Sequence, residues 1–289
     1  MTTYRGRFAP TPSGPLHLGS LMTAVASYLE ARAQQGTWLV RVDDIDPPRE
    51  VPGAADTILR QLAQHGLHWD EPVRYQSRRH EAYQAAVDTL LGRGQAFYCT
   101  LSRRALAELG GVHPGPSVAV ATAHDSAVRL AVPDTPVAFT DRLQGPQSFA
   151  LRDTEGAFVI RRRDGLYAYQ LACAVDDADD GITDVLRGVD LIDSTPRQLH
   201  VLDCLARPRP RYGHLPVLVG TDGQKLSKST GAAALGDDAT ANMALILRRL
   251  GLALPAELTG APCPAQLAWA LPHWTLNRLT GQQACPLPP

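Results

Sequence analysis

The sequence predicts an α/β fold: a parallel sheet split by an inserted, mostly β module, with a short helical segment towards the C-terminal end. Three observations carry that expectation. Strand-length apolar runs alternate with helical spacing up to Gln95 and again after Arg161. Between Ala96 and Arg161 the rhythm stops and short strand-like pieces lie between Gly/Pro turns. A Pro/Gly-rich turn joins the first strand to the first helix, as in folds that bind ligands at strand ends.

In chain order, Tyr4 to Ala9 reads as a short strand and Leu18 to Arg32 as an amphipathic helix. Thr37 to Val42, with Trp-Leu-Val-Arg-Val, reads as a buried parallel strand whose carboxyl end carries Asp43, Asp44 and Asp46. Pro52-Gly53 starts a helix with Ala55, Ile58, Leu59, Leu62 and Ala63 on one face, and His80 to Arg93 forms another. This is half of a Rossmann-like sheet. In the interruption, Ala127–Val132, Val137–Leu143 and Ala157–Ile160 are the expected strands, and Ser102–Leu109 the one helix. The rhythm resumes with a helix over Tyr167–Val175, a strand over Asp184–Arg187 and a helix over Thr195–Leu205. Gly213 to Gly220 is the expected last strand, followed by a helix over Thr240–Leu250 and a Pro-rich tail. The expected units are 1–95 and 162–235 as two halves of one core, 96–161 as the insertion, and 236–289 as the helical C-terminal segment.

Composition narrows the class. With 289 residues, 44% of them hydrophobic, the chain can fill a sizeable core. A formal charge of −1 argues against a non-specific nucleic-acid binder, though not against local basic patches. Five scattered cysteines are no disulfide framework and suit a reducing, cytoplasmic setting. Neither a secretory leader nor a membrane-length apolar run is apparent.

Two stretches carry chemistry. Arg7 to Ser20 is too rich in proline to belong to either neighbouring element, and it opens directly into a helix. Such a mouth receives phosphate: backbone N–H groups and the helix dipole point at it, His17 can donate, and Gly19 leaves room for a purine. About two hundred residues on, Lys225-Leu226-Ser227-Lys228-Ser229 lies between Gly220, Gly223 and Gly231. Two lysines in a Gly- and Ser-bounded loop form a movable positive clamp for a triphosphate. Alone, either stretch has a bland reading, a connecting turn or a solvated loop. Together, in this order, they resemble the HIGH and KMSKS signatures of class I aminoacyl-tRNA synthetases.

Further residues sharpen the resemblance. Arg7 to Ser13, Arg41-Val-Asp-Asp44, Tyr75-Gln-Ser77, Tyr169 and Leu186-Arg-Gly-Val-Asp190 are similar to the glutamate branch of that class. Arg49-Glu-Val-Pro-Gly-Ala-Ala55, Gly66-Leu-His-Trp69 and Arg162-Arg-Asp-Gly-Leu166 look most like the truncated glutamyl-queuosine tRNA(Asp) synthetases. About sixty residues follow Ser229, fewer than an anticodon-reading domain of roughly 100 residues needs. The resemblance implies a class I synthetase catalytic core that activates L-glutamate with ATP and Mg²⁺, without tRNA. It then places glutamate on queuosine in the anticodon loop of tRNA(Asp). A monomer is expected.

Carried over by motif, His17, Lys225 and Lys228 are the catalytic candidates, and His17, Gly19 and Lys228 bind ATP. Arg7, Ala9, Thr11, Asp43, Tyr169 and Arg187 are the glutamate site: arginines for the carboxylates, Asp43 for the ammonium, Tyr169 as a phenol donor. Asp43 departs from the family, which usually has glutamate there. Relatives often hold zinc in the insertion with Cys-x-Cys, Tyr and Cys; here Cys99 is followed by Leu101, His113 and Ser117. No zinc is expected, since structural zinc takes about four N or S ligands, and Cys99 reads as a half-buried thiol. Asp176, Asp177, Asp179 and Asp180 read as a solvated acidic turn, and Trp69, Trp269 and Trp274 as packing residues. Arg161–Arg163 with Arg207, Arg209 and Arg211 are either plain exposed surface or contacts to tRNA phosphates. Two other readings stand beside the leading one: a small-molecule adenylyl- or nucleotidyltransferase, against which the glutamate-site residues speak, and a non-catalytic RNA-binding paralogue, against which the intact ATP clamp speaks.

Overall fold

A computed structural model describes residues 3–121, 123–220 and 235–286. Strand β1 (Arg5–Phe8) leads into helix α1 (Leu18–Ala33), then β2 (Thr37–Val42), α2 (Ala54–Gln64), β3 (Arg74–Tyr75) and α3 (His80–Gly92). The interruption supplies β4 (Ala96–Cys99), α4 (Arg103–Glu108), β5 (Ala127–Leu130), β6 (Val137–Asp141), β7 (Gly145–Phe149), α5 (Leu151–Thr154) and β8 (Phe158–Arg161). Then come α6 (Tyr169–Asp179), β9 (Asp184–Gly188), α7 (Thr195–Cys204), β10 (Arg211–Leu215), β11 (Val217–Val219), α8 (Ala239–Arg249), α9 (Cys263–His273) and β12 (Ala284–Pro286).

The central sheet runs β10-β9-β1-β2-β3, every neighbouring pair parallel. Side chains alternate across it with the period of a strand. Trp38, Val40 and Leu186 enter one core with Leu21, Leu29, Leu62, Met243 and Leu247; Leu39 and Val185 enter the other with Tyr83, Leu90, Leu130, Leu171 and Leu202. Both faces are therefore covered, as a parallel sheet requires.

The interruption divides in two. β4, β5 and β8 form their own antiparallel sheet, while the β6–β7 hairpin returns to the central core. The Arg142 N–H donates to the Tyr212 carbonyl at 2.8 Å, and Gln144 donates to the His214 carbonyl at 2.9 Å. A piece of the insertion is thus sewn along β10.

Two expectations need correction. Gly213–Gly220 is not one strand and not the last: Pro216 has no N–H to continue a ladder, so the chain breaks into β10 and β11, which lie in different sheets. β11 pairs with β12, so the tail closes on the core as a strand. Asp176 and Asp177 are not a solvated turn either. They lie inside α6 and are buried: Asp177 pairs with Arg7 of β1 and Arg41 of β2, while Asp176 accepts from Gln76, Tyr83 and Arg79. The tryptophans do pack: Trp274 is buried and donates to Glu30 of α1 at 2.8 Å, and Trp69 and Trp269 lie half-buried against the same core.

Candidate active site

A cleft of about 320 Å³ opens at the carboxyl ends of β1 and β9, beside the start of α1. Its position follows from topology: β1 lies between β2 and β9, which its chain reaches in opposite directions, and such a point leaves a crevice. Arg7, Ala9, Thr11, His17, Gly19, Tyr169 and Arg187 all line it. Residues more than 150 positions apart in sequence thus face one space.

At the helix end, His17 is the N-cap of α1, and its Nδ1 accepts the Ser20 N–H at 3.3 Å. The proton of the neutral ring then sits on Nε2, which stands 2.9 Å from the Ser20 hydroxyl. A donor and the free N–H groups of a helix start share one mouth. Gly19 is needed for close approach: a Cβ there would come within 3.1 Å of the His17 ring.

Behind Arg7 the site is built on charge. Arg7 is buried and donates from Nε and Nη2 to the two oxygens of Asp177 at 3.2 and 3.1 Å. Arg41, also buried, donates to Asp177 at 2.6 Å and to Asp43 at 2.7 Å. Burial alone would raise the Asp177 pKa, but Arg7 and Arg41 outweigh it and hold the carboxyl at about 2. For Asp43 burial outweighs Arg41, and its pKa rises. Asp43 stands beside the cleft, pinned by Arg41, and is not among the lining residues.

Arg187 is only 4% exposed, yet no carboxylate among the described residues pairs with it. Its Nε donates to His214 at 3.2 Å, Nη1 to Gln198 at 2.7 Å and Tyr169 at 3.5 Å, and Nη2 to Thr195 at 2.8 Å and the Leu191 carbonyl at 3.3 Å. Neutral partners satisfy its hydrogen bonds but leave its charge, and a buried charge without a counter-ion costs several kcal/mol, roughly. Burial raises the Tyr169 phenol to about 12, so it stays protonated as a donor.

Lys225 and Lys228 lie outside the described residues. The sequence reading missed Asp177, Arg41, Gln198, Thr195 and His214, although Arg41 sat within a quoted motif. In Tyr75-Gln-Ser77, Gln76 braces Asp176 at 2.8 Å and the Ser77 hydroxyl braces Asp44 at 2.6 Å. Cys99 is fully buried rather than half-buried, with its Sγ 3.4 Å from His113 Nε2. Among the described residues no group of three or more His, Cys, Asp or Glu side chains could hold a metal ion.

The family model of the class I tRNA synthetases (E and Q), catalytic domain, matches residues 3–112 and 118–254. A glutamyl-Q tRNA(Asp) synthetase of Pseudomonas aeruginosa is 51% identical over 280 residues, covering 96% of each chain. One of Pseudomonas fluorescens is 49% identical, covering 94% of this chain and 92% of its own. The chain belongs to the glutamyl-Q tRNA(Asp) synthetase family. A glutamate tRNA ligase of Elizabethkingia meningosepticum shares the fold, with a TM-score of 0.81 at 21% identity, over 99% of this chain and 67% of that one. Members of the glutamyl-Q tRNA(Asp) synthetase family carry the class I catalytic core, so the chain is an adenylate-forming ligase that uses ATP with Mg²⁺.

Proposed function

We propose that this protein activates L-glutamate with ATP, without tRNA, and transfers the glutamyl group to queuosine in the anticodon loop of tRNA(Asp). Family membership supports both steps. The observation that carries the amino-acid half is Arg187: a buried guanidinium lining the same cleft as His17, with no carboxylate partner among the described residues. A substrate carboxylate there supplies the missing counter-charge.

In the first step a glutamate carboxylate oxygen attacks the α-phosphorus of ATP, and pyrophosphate leaves. Both reactants are already anionic, so the protein supplies positive charge and position rather than a base. His17 donates from Nε2 to a phosphate oxygen, and Gly19 lets the nucleotide lie against the helix start. Lys228 and Lys225 stabilise the departing pyrophosphate, and Mg²⁺ enters with ATP. Arg187 and Tyr169 hold the side-chain carboxylate of glutamate, and Arg7, already tied to Asp177, adds its charge to the same end. Ala9 and Thr11 give backbone and hydroxyl contacts, and Asp43 orients towards the α-ammonium from beside the cleft. In the second step a queuosine hydroxyl attacks the mixed anhydride and AMP leaves; the anhydride is reactive enough to need little further catalysis.

The proposed core is 1–95 with 162–235, into which 96–161 is inserted; within the C-terminal segment 236–289, α8 and α9 pack on α1. All five cysteines are free and buried, in keeping with a reducing cytoplasm, and no helix among the described residues is long and apolar enough to cross a membrane.

The test is ATP–pyrophosphate exchange across a panel of amino acids without tRNA, followed by transfer to tRNA(Asp) with and without queuosine. Exchange with glutamate alone and transfer only to the queuosine-bearing tRNA is the expected result. Exchange with no amino acid, in folded protein that binds ATP, would overturn it.

A further inference from the structure

Every N–H direction of Arg187 is taken, and one of these bonds depends on a proton held elsewhere. Its Nε–H donates to His214 Nε2 at 3.2 Å, so that nitrogen must carry no hydrogen. The Thr195 hydroxyl lies 3.1 Å from the same nitrogen, a second donor on that side. The ring proton is therefore on Nδ1, which donates to Asp141 Oδ2 at 2.6 Å. The other oxygen of Asp141 accepts three backbone N–H groups, from Leu143 and Gln144 at 2.9 Å and from His214 at 3.1 Å. That carboxylate cannot rotate, and neither it nor the imidazole meets solvent.

We propose that Asp141 and His214 are positioning residues for glutamate recognition: Asp141 sets the tautomer of His214, and His214 sets the plane of the Arg187 guanidinium. This rests on the glutamate-activating reading above. The two longest Arg187 contacts, to Tyr169 and the Leu191 carbonyl, use Nη1 and Nη2, and a substrate carboxylate replaces them. The bonds to His214, Gln198 and Thr195 stay and keep the fork aimed. Asp141 ends β6, inside the interrupting segment, so the hairpin that returns to β10 tunes the pocket from behind.

The decisive variant is Asp141→Asn, which keeps size and the three backbone contacts. Its amide puts N–H where Oδ2 was, so His214 Nδ1 must accept and Nε2 must carry the proton. Two donors then face each other, His214 Nε2–H and Arg187 Nε–H. The expected result is a glutamate KM raised about 10- to 100-fold, the effect of one misdirected buried donor. kcat at saturating glutamate and the KM for ATP should stay within about threefold, since no atom near the nucleotide changes. The ring ¹⁵N shifts of His214 should move from the Nδ1–H to the Nε2–H pattern. His214→Gln, which can donate to Asp141 and accept from Arg187, should keep the glutamate KM within about fivefold, while His214→Leu should copy Asp141→Asn. This pair decides the matter if Asp141→Asn does not fold. A folded Asp141→Asn or His214→Leu variant with unchanged glutamate KM, or a fall in kcat alone, overturns the proposal. Wild-type protein without glutamate-dependent exchange would instead remove the reading on which it rests.

Discussion

Arg7 and Asp177 meet at 3.1 Å with both side chains buried, so the first strand and the helix after the interruption share one charge pair. Asp177 also takes Arg41 at 2.6 Å, which makes it the counter-ion of two guanidiniums beneath the cleft.

Asp177→Ala leaves both arginines buried without it. The expected loss is about 3–5 kcal/mol of stability, the usual cost of removing one partner of a buried ion pair. Urea denaturation measures it, and a loss below about 1 kcal/mol would mean that water or another anion already screens the pair.

Gly19→Ala places a methyl group 3.1 Å from the His17 ring. Alanine suits a helix better than glycine, so thermal stability should hold or rise slightly. Adenylate formation should nevertheless fall roughly 10²-fold, because the displaced imidazole no longer meets the phosphate. Exchange at the wild-type rate would show that the ring has room to give way.

Stability should fall as the pH drops below about 6.5. Burial holds the pKa of His65, His200 and His214 below the ordinary value of 6.5 and takes that of His113 down to about 4. For a depressed histidine the unfolded chain takes up its proton first, so stability is complete above 6.5 and drains away towards 4. Asp177 stays ionised to about 2 and adds nothing to this window. Melting temperatures between pH 7.5 and 4.5 test the slope, and a flat profile would mean that these rings are charged or solvated in the fold.

Protein purified without added metal should carry well under one zinc per chain, and a chelator should leave its melting temperature unchanged. Cys99 and His113 supply two donors where structural zinc takes about four. Arg129, buried nearby, sends a hydrogen bond to the Ala157 carbonyl and brings positive charge to Cys99. Stoichiometric zinc by elemental analysis would overturn this.

The strands and helices of the parallel core were legible because local pattern and burial agree there. Thr37–Val42 is apolar at four of its six positions and is buried at all but the first. Leu18–Ala33 starts at a capping His17 and carries its apolar face into one core. The boundary at Pro216 was harder, since Val217–Val219 is as strand-like as what precedes it. Only its partner, at Ala284–Pro286, reveals that it belongs to another sheet. β-pairing is a long-range choice that periodicity does not record.

By itself the sequence determined the alternation of α and β, the proline-rich turn that opens into a helix at His17 and the identity of the arginines. These depend on residue type and short spacing. Only the tertiary structure decided which charges meet. Asp177 looked like part of a solvated acidic run, but α6 turns it onto Arg7 and Arg41. Asp141 and His214 carried no signal at all, lying 73 positions apart until β6 settles along β10. A side chain's role there follows from partners brought by the fold, and in a buried site the partner decides whether a group is charged, neutral, donor or acceptor.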